Sequence, residues 1–443
     1  MEKINIMLLQ ALKASLQGEK VTWEEKISQE EWAQLFRQAE IHQILPLIYD
    51  AVYSCPAAGQ ADPAMFAFFK RRIVQQVMIQ TMKTSEFLQL YRFLAEAGIR
   101  PLVVKGIVCR ELYPNPDYRA SSDEDLLIRP EDFERCHSRM LEFGMVPSDA
   151  GMDIHAAYEV PYGKKGSPLY IELHKHLFPP DSEAYGELDG FFRNVYEQAA
   201  ELPVHGGTVY TMEYSSHFFY LICHALKHFL HSGFGIRQVC DVVLFANVYG
   251  CRMDWMKVLE QCRSIRADRF AAALLQIGEK YLTFSLEKSC CPPEWRSIRV
   301  DEEPLLEDLL SGGVYGDADM SRKHSSNITL RAVEAEKKGG RAGNKILKSV
   351  FPSAKYMKSQ FPYLRKAPFL LPVAWLNRIL KYRKEISAGY NNSASDSIKI
   401  GNESRTDAGI WDYREAESVD IWDKTKSAEI SSPFPKDHSD VGY

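Results

Sequence analysis

Two aspartates, Asp123 and Asp125, stand at the mouth of the apolar run in "YRASSDEDLLI", residues 118–128. Alternate residues of a β-strand face one way. A strand entering a core here would therefore set the two carboxylates side by side, roughly 6–7 Å apart at their Cα atoms. Carboxylates that close repel one another, and burying one without a partner is costly. A hard divalent cation with oxygen ligands, Mg²⁺ or Mn²⁺, answers both costs, and Mg²⁺ commonly adds substrate phosphates to one or two carboxylates. The competing reading is a turn of solvated acids ahead of an edge strand.

Two other stretches bear on that choice. "PLYIELHKHL" sets Glu172 between Ile171 and Leu173, a third acid where burial is expected. His174 and His176 follow at two-residue spacing, which turns both toward the face of Glu172. For His174, aligning an acceptor or a metal and a structural hydrogen bond both remain open. Upstream, "VVKG" ends a strand at Lys105 and Gly106 and opens a helix. Backbone N–H groups at a helix start attract phosphate, glycine lets it approach closely, and the lysine adds positive charge. Arg119 has the planar fork that suits phosphate; the alternative is a surface pair with Asp117 or Glu124.

Other residues invite plainer readings. His224 and His228 in "CHALKHFLH" lie four apart on a helix but lack the glutamate of a zinc-protease helix, so they read as packing or capping histidines. Arg237 and Asp241, also four apart, fit a local ion pair on one helix face. Arg237 keeps a phosphate contact open as an accessory role.

The elements needed to position these groups follow from periodicity. Residues 1–95 read as helical: "SQEEWAQLF" opens with Ser28 and has Glu31 three residues on, a capping box. The long helix after it should stop at Gly98. Residues 96–212 mix short strands ("LVV", "DEDLLI", "AAYEVPY", "PLYIELHKHL", "GTVYTM") with helices, which makes the fold class α+β. Residues 213–320 return to helix. Residues 321–386 form a basic, aromatic- and Pro-rich arm that has no Asp or Glu between 337 and 384. From 387 to 443 the composition predicts a disordered tail.

With 443 residues the chain can build two or three cores, and a net charge of −5 predicts no general attraction to nucleic acid. The N-terminus has no signal-peptide core, and the most apolar runs fall short of the roughly 20 residues a membrane span needs. A soluble, cytoplasmic protein without stable membrane insertion is expected. Nine cysteines without CxxC spacing predict reduced thiols rather than a disulfide framework or a zinc site.

The order strand–KG–helix, D-x-D on the next strand, then an apolar–Glu–apolar strand resembles the nucleotidyltransferases of the DNA polymerase β superfamily. "LVVKGIVCRELYPNPDYRASSDEDLLI", "IELHKHL", "GFGIRQVCDVVLFA" and "FPSAKYMKSQFPYLRKAPFLLPVAWLNRIL" are similar to their poorly characterised bacterial branch. The resemblance implies a polymerase β-like core set between helical domains, with Asp123 and Asp125 as the catalytic, metal-binding pair and Glu172 as the third catalytic acid, which either completes the metal site or acts as the base. It puts Lys105 and Gly106 in the place of a Gly-Ser phosphate-binding turn, although no serine follows Gly106. The implied reaction moves a nucleoside monophosphate from an NTP to a hydroxyl of a small molecule, glycan precursor, RNA or protein, releasing pyrophosphate. Two metals about 4 Å apart would assist it. The alternative is a transferase fold without turnover that binds a nucleotide or a partner protein.

Overall fold

The computed structural model describes residues 1–180, 182, 186–231 and 234–312. The expected basic arm at 321–386 and the tail from 387 lie outside the described residues. The chain divides into units at 1–379 and 380–443, and every described residue belongs to the first.

Helices α1 (Lys3–Leu16), α2 (Gln29–Ile41) and α3 (Leu45–Val52) come first. The capping box at the start of α2 is formed, with the Ser28 side chain on the Glu31 N–H and the Glu31 carboxylate on the Ser28 N–H. Helix α4 (Pro63–Glu96) begins with Pro63 behind an Asp62 cap. It ends before Gly98, whose φ of +73° turns the chain away.

A seven-stranded mixed sheet follows, in the order β3-β4-β5-β2-β1-β7-β6. Its strands are β1 (Leu102–Val104), β2 (Glu124–Leu127), β3 (Val146–Pro147), β4 (Glu159–Gly163), β5 (Tyr170–His174), β6 (Ala200–Val204) and β7 (Gly207–Thr211). The central pairings matter most: β1 runs antiparallel to β2, and β2 parallel to β5. Helix α5 (Gly106–Arg110) fills the turn between β1 and β2, α6 (Phe133–Glu142) follows β2, and α7 (Gly186–Asp189) follows β5. The mixed α+β class is as expected. Strands β3 and β6 were not foreseen; "VP" in β3 is too short for a period to show.

After the sheet come α8 (Tyr214–His231), α9 (Ile236–Tyr249), α10 (Trp255–Ser264), α11 (Asp268–Tyr281), α12 (Leu286–Ser289), α13 (Pro293–Arg296) and α14 (Glu303–Gly312). One continuous buried apolar cluster joins the early helices, the sheet and these later helices, from Met7 to Leu310. Among the described residues no helix is long and apolar enough to cross a membrane.

The expectation that all thiols are reduced does not hold. Cys251 and Cys290 are bonded, with Cα atoms 4.9 Å apart. A 3-10 turn at Gly250–Arg252 and the left-handed backbone of Cys290 at the end of α12 bring the two exposed residues together. Sequence spacing carries no trace of that approach. The other seven cysteines are free, and of these only Cys291 is not buried.

Candidate active site

The site forms where three central strands lie side by side. Asp125 on β2 is opposite Val104 of β1 on one side and Glu172 of β5 on the other. Glu172 and His174, two apart on β5, share its face, as the alternation requires. Ligand atoms of Asp125, Glu172 and His174 all lie within 4.8 Å of one another. Asp125 and His174 are buried and Glu172 is partly exposed. Asp123 is not one of the three: β2 starts at Glu124, and Asp123 stands just before it with Oδ1 accepting from the Ser122 hydroxyl at 3.2 Å. It lines the same cavity as Asp125.

Each oxygen of Asp125 meets a cation. Lys105 Nζ is 2.9 Å from Oδ2, and His174 Nε2 is 3.1 Å from Oδ1. Burial favours the neutral acid, but the Lys105 charge and the His174 hydrogen bond outweigh it and hold Asp125 at about 2. Burial works against charge on His174 too, yet its hydrogen bonds to Asp125 and Glu172 bring it up to about 9. Glu172 moves opposite to Asp125: burial raises its pKa, Asp125 and Asp123 add to the rise, and His174 opposes it. The pocket thus holds charge unequally among its acids.

Lys105 reaches the site from an uncommon backbone, φ +59° and ψ −124°, at the β1–α5 turn. Its N–H donates to His217 Nε2 at 3.1 Å, and His217 Nδ1 lies 3.0 Å from Thr211 Oγ1. Because the Thr211 hydroxyl donates to the Val103 carbonyl, it accepts from Nδ1, which fixes a neutral ring. Burial agrees, pushing His217 down to about 3. The Lys105 ammonium also lies 2.9 Å from His224 Nε2. His224 thus lines the cavity, and His228 backs it, its Nε2 3.0 Å from the same nitrogen.

Gly106 serves a purpose other than the expected one. The Ile107 N–H donates to Glu124 Oε2 at 2.9 Å, so an internal carboxylate takes the backbone donor at the start of α5. Glu124 is fully buried on the opposite face of β2 from Asp125, paired with the equally buried Arg110.

Arg119 and Arg237 are also placed differently from the surface readings. Arg119 is buried and forks onto Asp241 of α9, Nε to Oδ1 at 2.7 Å and Nη2 to Oδ2 at 2.6 Å. This excludes pairing with Asp117 or Glu124 on the surface. It also corrects the expected Arg237–Asp241 pair: Arg237 bonds Gln43 Oε1 at 2.6 Å and the Ala120 carbonyl. Helical spacing favoured the neighbour four residues away, but the buried Asp241 takes the bidentate partner. Arg119 and Arg237 both line the cavity with Lys105, Asp123 and Asp125. His176 leaves the site because β5 has ended; it pairs with Asp189 at 2.8 Å.

Several residues that hold the loop ahead of β2 were not singled out in advance. Lys83 of α4 donates to the Ser121 and Ser122 carbonyls, the latter at 2.9 Å, and Gln80 accepts from the Ser121 N–H at 3.0 Å. Burial lowers the Lys83 pKa to about 8, against the pull of Glu124 and Asp123. A lysine and a glutamine on the long helix offer no sequence signal for this role. Glu124 did: on a strand buried on both faces, the residue between two acids must face the other way.

The carboxylates suit a divalent cation: Asp125 and Glu172 lie within reach of one ion beside His174, and Asp123 lines the same cavity. No curated protein and no solved structure matches the chain. Residues 28–283, more than half of it, match the profile of a family described as uncharacterised nucleotidyltransferase, and the chain belongs to that family.

Proposed function

We propose that the protein transfers a nucleoside monophosphate from an NTP to a hydroxyl of an acceptor, with release of pyrophosphate. The convergence of Asp125, Glu172 and His174 on one point beside Lys105 carries this reading in a member of a nucleotidyltransferase family. Asp125 and Glu172, with Asp123 at the mouth, would hold Mg²⁺ or Mn²⁺. Such an ion supplies charge that polarises the phosphoryl oxygens and acidifies a bound hydroxyl. Lys105 and Arg119 face the phosphates as positive charges, and Arg237 borders them. The acceptor oxygen attacks the α-phosphorus, the bond to the pyrophosphate oxygen breaks, and Glu172 takes the hydroxyl proton.

One observation favours a second reading, a nucleotide-binding module without turnover. The amide expected to cradle phosphate is engaged by Glu124. Incubation with each α-labelled NTP, Mg²⁺ or Mn²⁺ and cell extract separates the two. The wild type should label an acceptor, and Asp125→Asn and Glu172→Gln should each lose at least a hundredfold of that rate while remaining folded. Nucleotide-dependent thermal stabilisation without any label transfer would replace the enzyme reading with the binding one.

A further inference from the structure

Lys105 stands where an incoming metal would have to be. Its ammonium is 2.9 Å from Asp125 Oδ2, and the other oxygen of Asp125 is held by His174 at 3.1 Å. An ion approaching Asp125 would therefore meet an ammonium within contact distance, and like charges that close repel strongly away from bulk water. The cavity is about 50 Å³, against the ~300 Å³ or more of a usual ligand pocket. Its own side chains fill the site.

The lysine is also built to leave. Its flexible stem carries three donors, and His224 Nε2, already at 2.9 Å, can keep one of them when Asp125 is released. The strained backbone at Lys105, pinned through its N–H to His217, fixes where the stem starts while leaving the ammonium to choose its partner. On the same cavity lies Arg119, 5% exposed, whose Nη1 is buried and has no hydrogen-bond partner. A buried guanidinium nitrogen without an acceptor is a place for an anionic oxygen.

We propose that Lys105 is a resident counter-ion of Asp125 that nucleotide phosphates draw away, so that metal and nucleotide enter the site together and metal alone is refused. This rests on the nucleotidyltransferase reading above. Phosphate oxygens bridging Arg119 Nη1 and the Lys105 ammonium would vacate Asp125 Oδ2 as the metal–nucleotide complex arrives.

The test compares wild type with Lys105→Met, and with Lys105→Gly, whose backbone tolerates the positive φ if the methionine variant does not fold. Binding of Mn²⁺ alone is read from the loss of its free-ion paramagnetic signal. Binding of preformed Mn²⁺ complexes with the α,β-methylene analogues of the four NTPs is read by calorimetry. The variant should bind Mn²⁺ alone at least tenfold more tightly than wild type and a metal–nucleotide complex at least tenfold more weakly. If wild type binds a complex but the variant binds Mn²⁺ no more tightly, Lys105 is a static ion pair and this inference falls while the nucleotidyltransferase reading stands. If neither protein binds Mn²⁺ or any complex, both fall.

Discussion

At position 106 the backbone and a buried carboxylate together exclude every side chain. Gly106 has a φ of +39°, and a Cβ built there would lie 2.1 Å from Glu124 Oε2. That oxygen is not free to move, since the Ile107 N–H and the Arg110 pair hold the carboxylate. Gly106→Ala should therefore cost at least about 2 kcal/mol, in the range of overpacked cores. Gly59→Ala, with nothing within 4 Å and no positive φ, should be close to neutral. Urea denaturation of the two variants checks this, and equal stability would mean that Glu124 can withdraw from α5 at little cost. The two-residue period set Asp123 beside Asp125, but β2 starts only at Glu124, and the neighbour of Asp125 is Glu172 on β5, a pairing between strands that no local period carries. The same alternation turns Glu124 to the opposite face, but it does not show that Arg110 of α5 is the partner waiting there.

Among elements, the loop ahead of β2 is the piece that others must hold. Helix α4 grips the Ser121 and Ser122 backbone through Gln80 and Lys83, and α9 grips Ala120 through Arg237. The strongest tie is Arg119 to Asp241, a buried bidentate pair to which the Tyr113 hydroxyl adds a bond of 2.8 Å. Removing one partner of a buried pair leaves an uncompensated charge, so Asp241→Asn should cost about 3–5 kcal/mol. Arg119→Met combined with Asp241→Leu should recover a large part of that loss, because two apolar groups leave no charge stranded. A double-mutant cycle by chemical denaturation measures the coupling, and a value near zero would remove this pair as the link between the loop and α9. These partners were hidden from the sequence by distance: 122 residues separate Arg119 from Asp241, while helical spacing offered Arg237 four residues away. Helices and strands were legible from local period and caps, as at Ser28 and Gly98. Which helix would reach the site was not.

Across the described residues as a whole, the apolar core closes between an early helix, α2, and the last, α14, and a histidine sits in the closure. His42, at the end of α2, is fully buried, with Nε2 3.3 Å from the Leu310 carbonyl of α14. The carbonyl can only accept, so Nε2 carries the hydrogen, and Nδ1 is buried with no partner. Protonating Nδ1 inside the fold would bury an unpaired charge, and burial accordingly pushes His42 down from 6.5 to about 4. The unfolded chain takes that proton near pH 6.5, so between pH 6.5 and 4 the unfolded state binds more protons than the folded one. Stability must then fall as pH drops through that window. At about 1.4 kcal/mol per unit of pKa difference, the contribution of this one ring approaches ~3 kcal/mol at the acid end. His42→Gln cannot take up the proton, so the unfolding free energy of wild type should fall relative to that of the variant as pH goes from 7 to 4.5. Denaturant titrations of both proteins across that range read the difference directly. A difference that stays constant with pH would show that the ring accepts its proton within the folded protein, and that the contact between α2 and α14 is open to water.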